Sequence, residues 1–122
     1  SMTYNLCGDK FDLLSGDDAL TLPLLAIGGR GVISVVANIV PKDVADMVSK
    51  FQKGDIAGAR KLHYKLLPLI KAMFIETNPI PVKTSMALMG MIDSAELRLP
   101  MCAISDGNLS ILKKALSAYG LL

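Results

Sequence analysis

The chain has 122 residues, enough for one hydrophobic core of common domain size. It is 52% hydrophobic with a mean hydropathy of +0.46, but its longest uncharged stretches, Ala19 to Gly29 and Gly31 to Pro41, are broken by Gly and Pro and shorter than the roughly 20 residues of a membrane-spanning helix. The excess apolar surface therefore points to a buried core or interface, while a net charge of +2 from 13 basic and 11 acidic interspersed residues argues against nucleic acid and anionic membranes as partners.

Phe11 to Ser15 is a short, mostly apolar run that stops at Gly16 and reads as a strand. Asp17 and Asp18 then offer helix caps, and the spacing predicts a helix over 18–27 with Leu20, Leu24 and Ile27 on one face, its first turns loosened by Pro23. Gly28 and Gly29 supply the positive φ with which helices often end. Val32 to Val36 is β-branched and apolar on both faces, as a parallel strand covered on each side should be. Pro41 opens a helix with Val44, Met47, Val48 and Phe51 as its apolar stripe, up to Gly54.

From Asp55 onward only helices are signalled. Asp55 caps a long one carrying Ile56, Ala59, Leu62, Leu66 and Ile70, with Pro68 bending it near its middle. Asn78, Pro79 and Pro81 break the chain, a second helix follows from Pro81 to about Met91, and Leu97 to Ile104 reads as irregular. Ser105 caps the last helix, in which Leu109, Leu112, Leu116 and Tyr119 share a face before Gly120. Two βα units followed by three helices imply an α/β fold with a parallel sheet and a change of character near Asp55.

Three segments, LSGDD at 14–18, GVISVVAN at 31–38 and NPIPVK at 78–83, together resemble the dihydrodipicolinate synthase family, and LRLP at 97–100 and YGLL at 119–122 agree. The likeness runs through nearly the whole chain in order. It implies the C-terminal part of a TIM barrel: residues 1–54 supply the seventh strand at Phe11, the eighth at Val32 and their helices, and residues 55–122 a three-helix C-terminal extension. The family condenses pyruvate with aspartate semialdehyde on the way to diaminopimelate and lysine, through a Schiff base on a lysine of the sixth strand. That lysine and the tyrosine proton relay would precede residue 1, so no catalytic residue is expected in this chain, and the segment alone is expected to be inactive. The resemblance assigns substrate binding to Gly16, whose backbone lines the pyruvate pocket, and to Ile33, whose carbonyl sits near the Schiff-base nitrogen. It calls for no cofactor and no metal. Its partners would be the N-terminal half of the barrel and further copies in a homotetramer built from dimers. N-acetylneuraminate lyase, a keto-deoxy-sugar aldolase, or a non-catalytic half-barrel that binds its own family are the alternatives.

Other candidates read more plainly. Asp17 and Asp18 diverge in direction as neighbours must, so one caps and the other faces solvent. Lys83 stands in the first turns of a helix and reads as structural rather than as a reactive amine, and the remaining lysines fall mostly on polar faces. His63 has no second ligand at metal spacing. Cys7 and Cys102, far apart, read as free thiols that pack as small residues in a reducing, cytoplasmic setting; no secretory signal is visible. Gly28 to Gly31 runs from helix into strand, the wrong direction for a phosphate loop, and Met86, Met89 and Met91 read as core filling.

Overall fold

A computed structural model describes residues 2–122. Helix α1 (Met2–Cys7) and a 3-10 turn over Gly8–Lys10 lead to strand β1 (Leu14–Ser15), a 3-10 turn over Asp18–Leu20, helix α2 (Thr21–Ala26) and strand β2 (Gly31–Val32). A further 3-10 turn over Val36–Asn38 precedes α3 (Pro41–Gln52), α4 (Ile56–Met73), α5 (Ile80–Leu88) and α6 (Asp106–Tyr119). The two strands pair in parallel, Leu14 with Gly31 and Ser15 with Val32. The Arg30 N–H donates to Leu13 O and the Ile33 N–H to Ser15 O, each at 2.8 Å, which adds a rung at either end.

Both strands are shorter than the five-residue runs that the sequence predicts. A ladder persists only where two backbones run side by side, and beyond Ile33 the amides of Val35 and Val36 turn away to the carboxylate of Asp18. Helix α2 likewise departs from the expected 18–27. It begins after a 3-10 turn, and its stripe of Leu20, Leu24 and Ile27 does not face the core: Leu20 and Ile27 are exposed, while Thr21 and Leu25 are buried. Of the two glycines that follow, only Gly28 has positive φ (100°). Gly28 also admits the ring of Tyr4 from α1, since a Cβ there would lie 2.6 Å from the ring. The sequence reading assigns no element to residues 2–10, and α1 buries none of its residues.

The remaining helices lie close to expectation. Pro41 opens α3, Asp55 caps α4 by accepting the Gly58 N–H at 2.9 Å, and Gly120 ends α6 in the left-handed conformation. α4 continues through Pro68, whose missing N–H leaves the Tyr64 carbonyl without its i+4 donor. α5 ends at Leu88, and 93–105 is without helix or strand. Most of the buried apolar residues form one cluster on both sides of Asp55, with Val36, Val44 and Met47 against Leu66, Leu69, Met73, Leu112 and Leu116. Met86 and Met89 pack on it, whereas Met91 is exposed. The cysteines do not fill the core as small packing residues: Cys7 ends the uncovered α1 and Cys102 lies in the irregular segment, both exposed.

Candidate active-site cleft

The strand register fixes where the two candidate binding residues fall. Gly16 follows Ser15 and Ile33 follows its partner Val32, so both leave the paired strands at their C-terminal ends and line one open cleft of about 610 Å³. Ser34, Val35 and Asn38 continue that wall, and Asn78, Pro79, Val82, Lys83, Met86 and Ile92 form the other from the helical region. A Cβ on Gly16 would meet nothing within 4 Å, so the backbone there stands open to the cleft. Ile33 is 71% exposed.

The turns on either side of the strand ends are built by short polar side chains. The Asp17 carboxylate accepts the N–H groups of Ala19 (2.8 Å) and Leu20 (3.3 Å), the cap expected of one member of the acidic pair. Its neighbour does not face solvent. Asp18 is 3% exposed, and its carboxylate accepts the Ser34 hydroxyl and the N–H groups of Val35 (2.9 Å) and Val36 (3.4 Å). Backbone amides of a neighbouring segment make burial of this carboxylate tolerable, a long-range partnership that sequence adjacency does not reveal. Ser34 Oγ in turn accepts the Ala37 N–H at 2.9 Å, and Asn38 donates to Val35 O at 2.9 Å.

The opposite wall is held from behind. Lys83 is half-buried and donates to the carbonyl of Glu96, which ties α5 to the following loop and accords with a structural lysine. Ser105 occupies the N-cap position of α6, yet its hydroxyl does not cap its own helix. Hydroxyl and N–H both donate to Glu76, at 2.8 and 3.0 Å, and Asn108 adds a third bond at 2.8 Å. Asn108, then the Ser105 N–H and hydroxyl, hold the Glu76 carboxyl below its ordinary value. Glu76 so anchors the loop that carries Asn78 and Pro79.

Other titratable groups lie elsewhere. His63 is not among the cleft residues; its Nδ1 is buried without a hydrogen-bond partner among the described residues, and burial lowers its basicity. Asp43, Lys65 and Tyr119 form a cluster among α3, α4 and α6. Among the described residues no group of three or more His, Cys, Asp or Glu is arranged to hold a metal ion, and no helix is long and apolar enough to cross a membrane. The resemblance singles out Gly16 and Ile33, but no reading of the sequence gives a cleft role to Asn78, Val82, Met86 or Ile92. Only the resemblance, through the 78–83 motif, marked part of that wall.

Residues 2–119 match the model of the dihydrodipicolinate synthetase family. The chain is 62% identical over 111 residues to a 4-hydroxy-tetrahydrodipicolinate synthase of Endomicrobium trichonymphae, which covers 91% of this chain and 38% of that protein. It is 60% identical over 122 residues to the enzyme of that name from Thermodesulfovibrio yellowstonii, covering 100% of this chain and 42% of the relative. Among solved structures, the chloride-inhibited dihydrodipicolinate synthase of Acinetobacter baumannii complexed with pyruvate superposes with a TM-score of 0.92 at 33% identity, over 99% of this chain and 41% of that one. The chain thus spans about two fifths of the length of the proteins it matches.

Proposed function

This chain belongs to the dihydrodipicolinate synthetase family, and on that premise we propose that it forms the C-terminal part of a lyase of the class I aldolase type. In this assignment β1 and β2 are the seventh and eighth strands of a TIM barrel, residues 1–54 its last two βα units, and α4 to α6 the C-terminal helical extension. The whole protein condenses pyruvate with aspartate semialdehyde in the route to diaminopimelate and lysine, through a Schiff base on a lysine upstream of this segment.

One observation carries the assignment: parallel pairing brings Gly16 and Ile33 out of the sheet side by side into one cleft. Barrel enzymes gather their chemistry at this end of the strands. At Gly16 the missing side chain lets a keto acid approach the backbone. The carbonyl of Ile33 supplies an acceptor that orients the imine nitrogen without itself titrating. The pyruvate in the Acinetobacter baumannii relative supports the choice of keto acid.

The segment by itself performs no turnover, because imine chemistry needs the amine nucleophile that this reading places upstream. The outer edge of each short strand and the exposed side chains of Leu20, Ile27 and Ile33 suit a protein completed by the rest of its barrel and assembled with further copies in the cytoplasm. Borohydride reduction of the whole protein with pyruvate tests the assignment. A covalent adduct heavier by the reduced pyruvate is expected, and its absence would overturn it.

A further inference from the structure

We infer that Asp18 is a positioning residue that sets the spacing between Gly16 and Ile33. The inference rests on the functional reading above and deepens it.

The side chain joins two segments that are far apart in sequence at the point where their strands end. Asp18 lies two residues beyond Gly16; its acceptors reach the hydroxyl of Ser34 and the amides of Val35 and Val36, the three residues directly after Ile33. On its own side the backbone around Gly16 is bracketed. The Ser15 hydroxyl donates to Asp17 O at 2.7 Å, the Asp17 N–H donates back to Ser15 Oγ at 3.2 Å, and the Asp17 carboxylate fixes the turn that carries Asp18. Gly16 and Ile33 therefore stand at the two ends of one short hydrogen-bonded bracket.

Capping alone does not account for this carboxylate. The 3-10 turn over Val36–Asn38 already has a local side-chain acceptor, since Ser34 Oγ accepts the Ala37 N–H at 2.9 Å. What Asp18 adds is the link across the sheet end, made by an ionisable side chain only 3% exposed whose described partners are all neutral donors. Burying a carboxylate is costly unless its oxygens are satisfied, and once satisfied such bonds are short and directional. A site that must hold an N–H and a C=O at fixed separation is served by a link of this kind from behind, outside the contact shell of the substrate.

The test uses the whole protein that carries this sequence, with Asp18→Asn, Ser34→Ala and, as a control away from the cleft, Asp43→Asn. Asp18→Asn keeps the size but turns one acceptor into a donor facing donors. It is expected to raise the pyruvate KM about tenfold, to change the aldehyde KM less than twofold, and to lower borohydride trapping at low pyruvate but not at saturation. Asp43→Asn leaves the pyruvate KM unchanged. A pyruvate KM within twofold of wild type in Asp18→Asn, with only the active fraction reduced, would mean a purely structural side chain and overturn the inference. If that variant does not fold, Ser34→Ala, which removes one of the three bonds to Asp18 together with the Ala37 N–H bond, should raise the pyruvate KM about two- to threefold, and an unchanged value there overturns it equally. A wild-type protein that gives no adduct overturns the functional reading and this inference with it; adduct formation with an unchanged KM overturns this inference alone.

Discussion

Replacing Asp43 by Asn isolates the charge that ties three helices together. One carboxylate oxygen of Asp43 accepts Lys65 Nζ and the Tyr119 hydroxyl, each at 2.5 Å, and Lys65 also sits 4.7 Å above the Tyr119 ring. The Asp43 side chain is 21% exposed and that of Lys65 51%, so solvent screens the ion pair. A hydrogen bond to a charged group contributes about 1.5–3 kcal/mol, a neutral one about 0.5–1.5. The half-exposed ion pair adds about 1 kcal/mol at most. Asn keeps an acceptor for Tyr119, so the substitution should cost about 1–2 kcal/mol near pH 7.

The pH dependence identifies the source of that cost. Lys65, then Tyr119, hold the Asp43 carboxyl below its ordinary range. A depressed carboxylate stabilises the fold above its unfolded value of about 4, and the contribution vanishes as pH falls through the lower folded value. Burial first, then Asp43, raise the Tyr119 hydroxyl, so its contribution is complete below about 10 and is lost only as pH climbs through the raised folded value. Urea unfolding at pH 7 and at pH 3 should show the gap between wild type and variant closing toward acid. A gap of equal size at both would show that packing, not the charge, carries the cost.

Two further substitutions probe the helices behind the cleft. Leu116 is fully buried in the common core while Ile111, on the same helix, is exposed; Leu116→Ala should cost about 2–5 kcal/mol in urea unfolding and Ile111→Ala under about 1, and equal costs would contradict the observed face of α6. Asp55→Ala removes the acceptor of the Gly58 N–H and should cost about 1 kcal/mol, with faster hydrogen exchange at the Gly58 amide as its local signature; unchanged exchange there would exclude the cap.

Periodicity and caps made the helices legible because those signals are local. Pro41 and Asp55 mark starts, Gly120 marks an end, and the stripe through Leu66, Ile70, Leu112 and Leu116 coincides with the buried face. The strands were legible in kind and direction but not in length, because a strand lasts only as long as its neighbour stays paired. The run at 32–36 is cut short by a carboxylate 18 positions upstream of its last residue. In α2 the apolar stripe misled for a related reason: Leu20 and Ile27 are apolar yet uncovered, and the helix turns Thr21 and Leu25 inward instead. The burial of Asp18, where the sequence places one of the acidic pair in solvent, was not legible because its partners are a remote hydroxyl and remote backbone amides, which leave no spacing to read.

The change of character near Asp55 separates two kinds of secondary structure but not two halves of a site. Gly16, Ile33 and Ser34 come from before that point, Asn78, Val82 and Lys83 from after it, and the cleft exists only where the two meet. Its far wall is held by Glu76, which is fixed in turn by the start of α6. Tyr119, at the other end of α6, is bonded back to α3 through Asp43. A displacement of the last helix would therefore reach the cleft through the loop bearing Asn78 and Pro79. The start of the last helix thus helps to hold the wall of the cleft that Asn78 and Pro79 form.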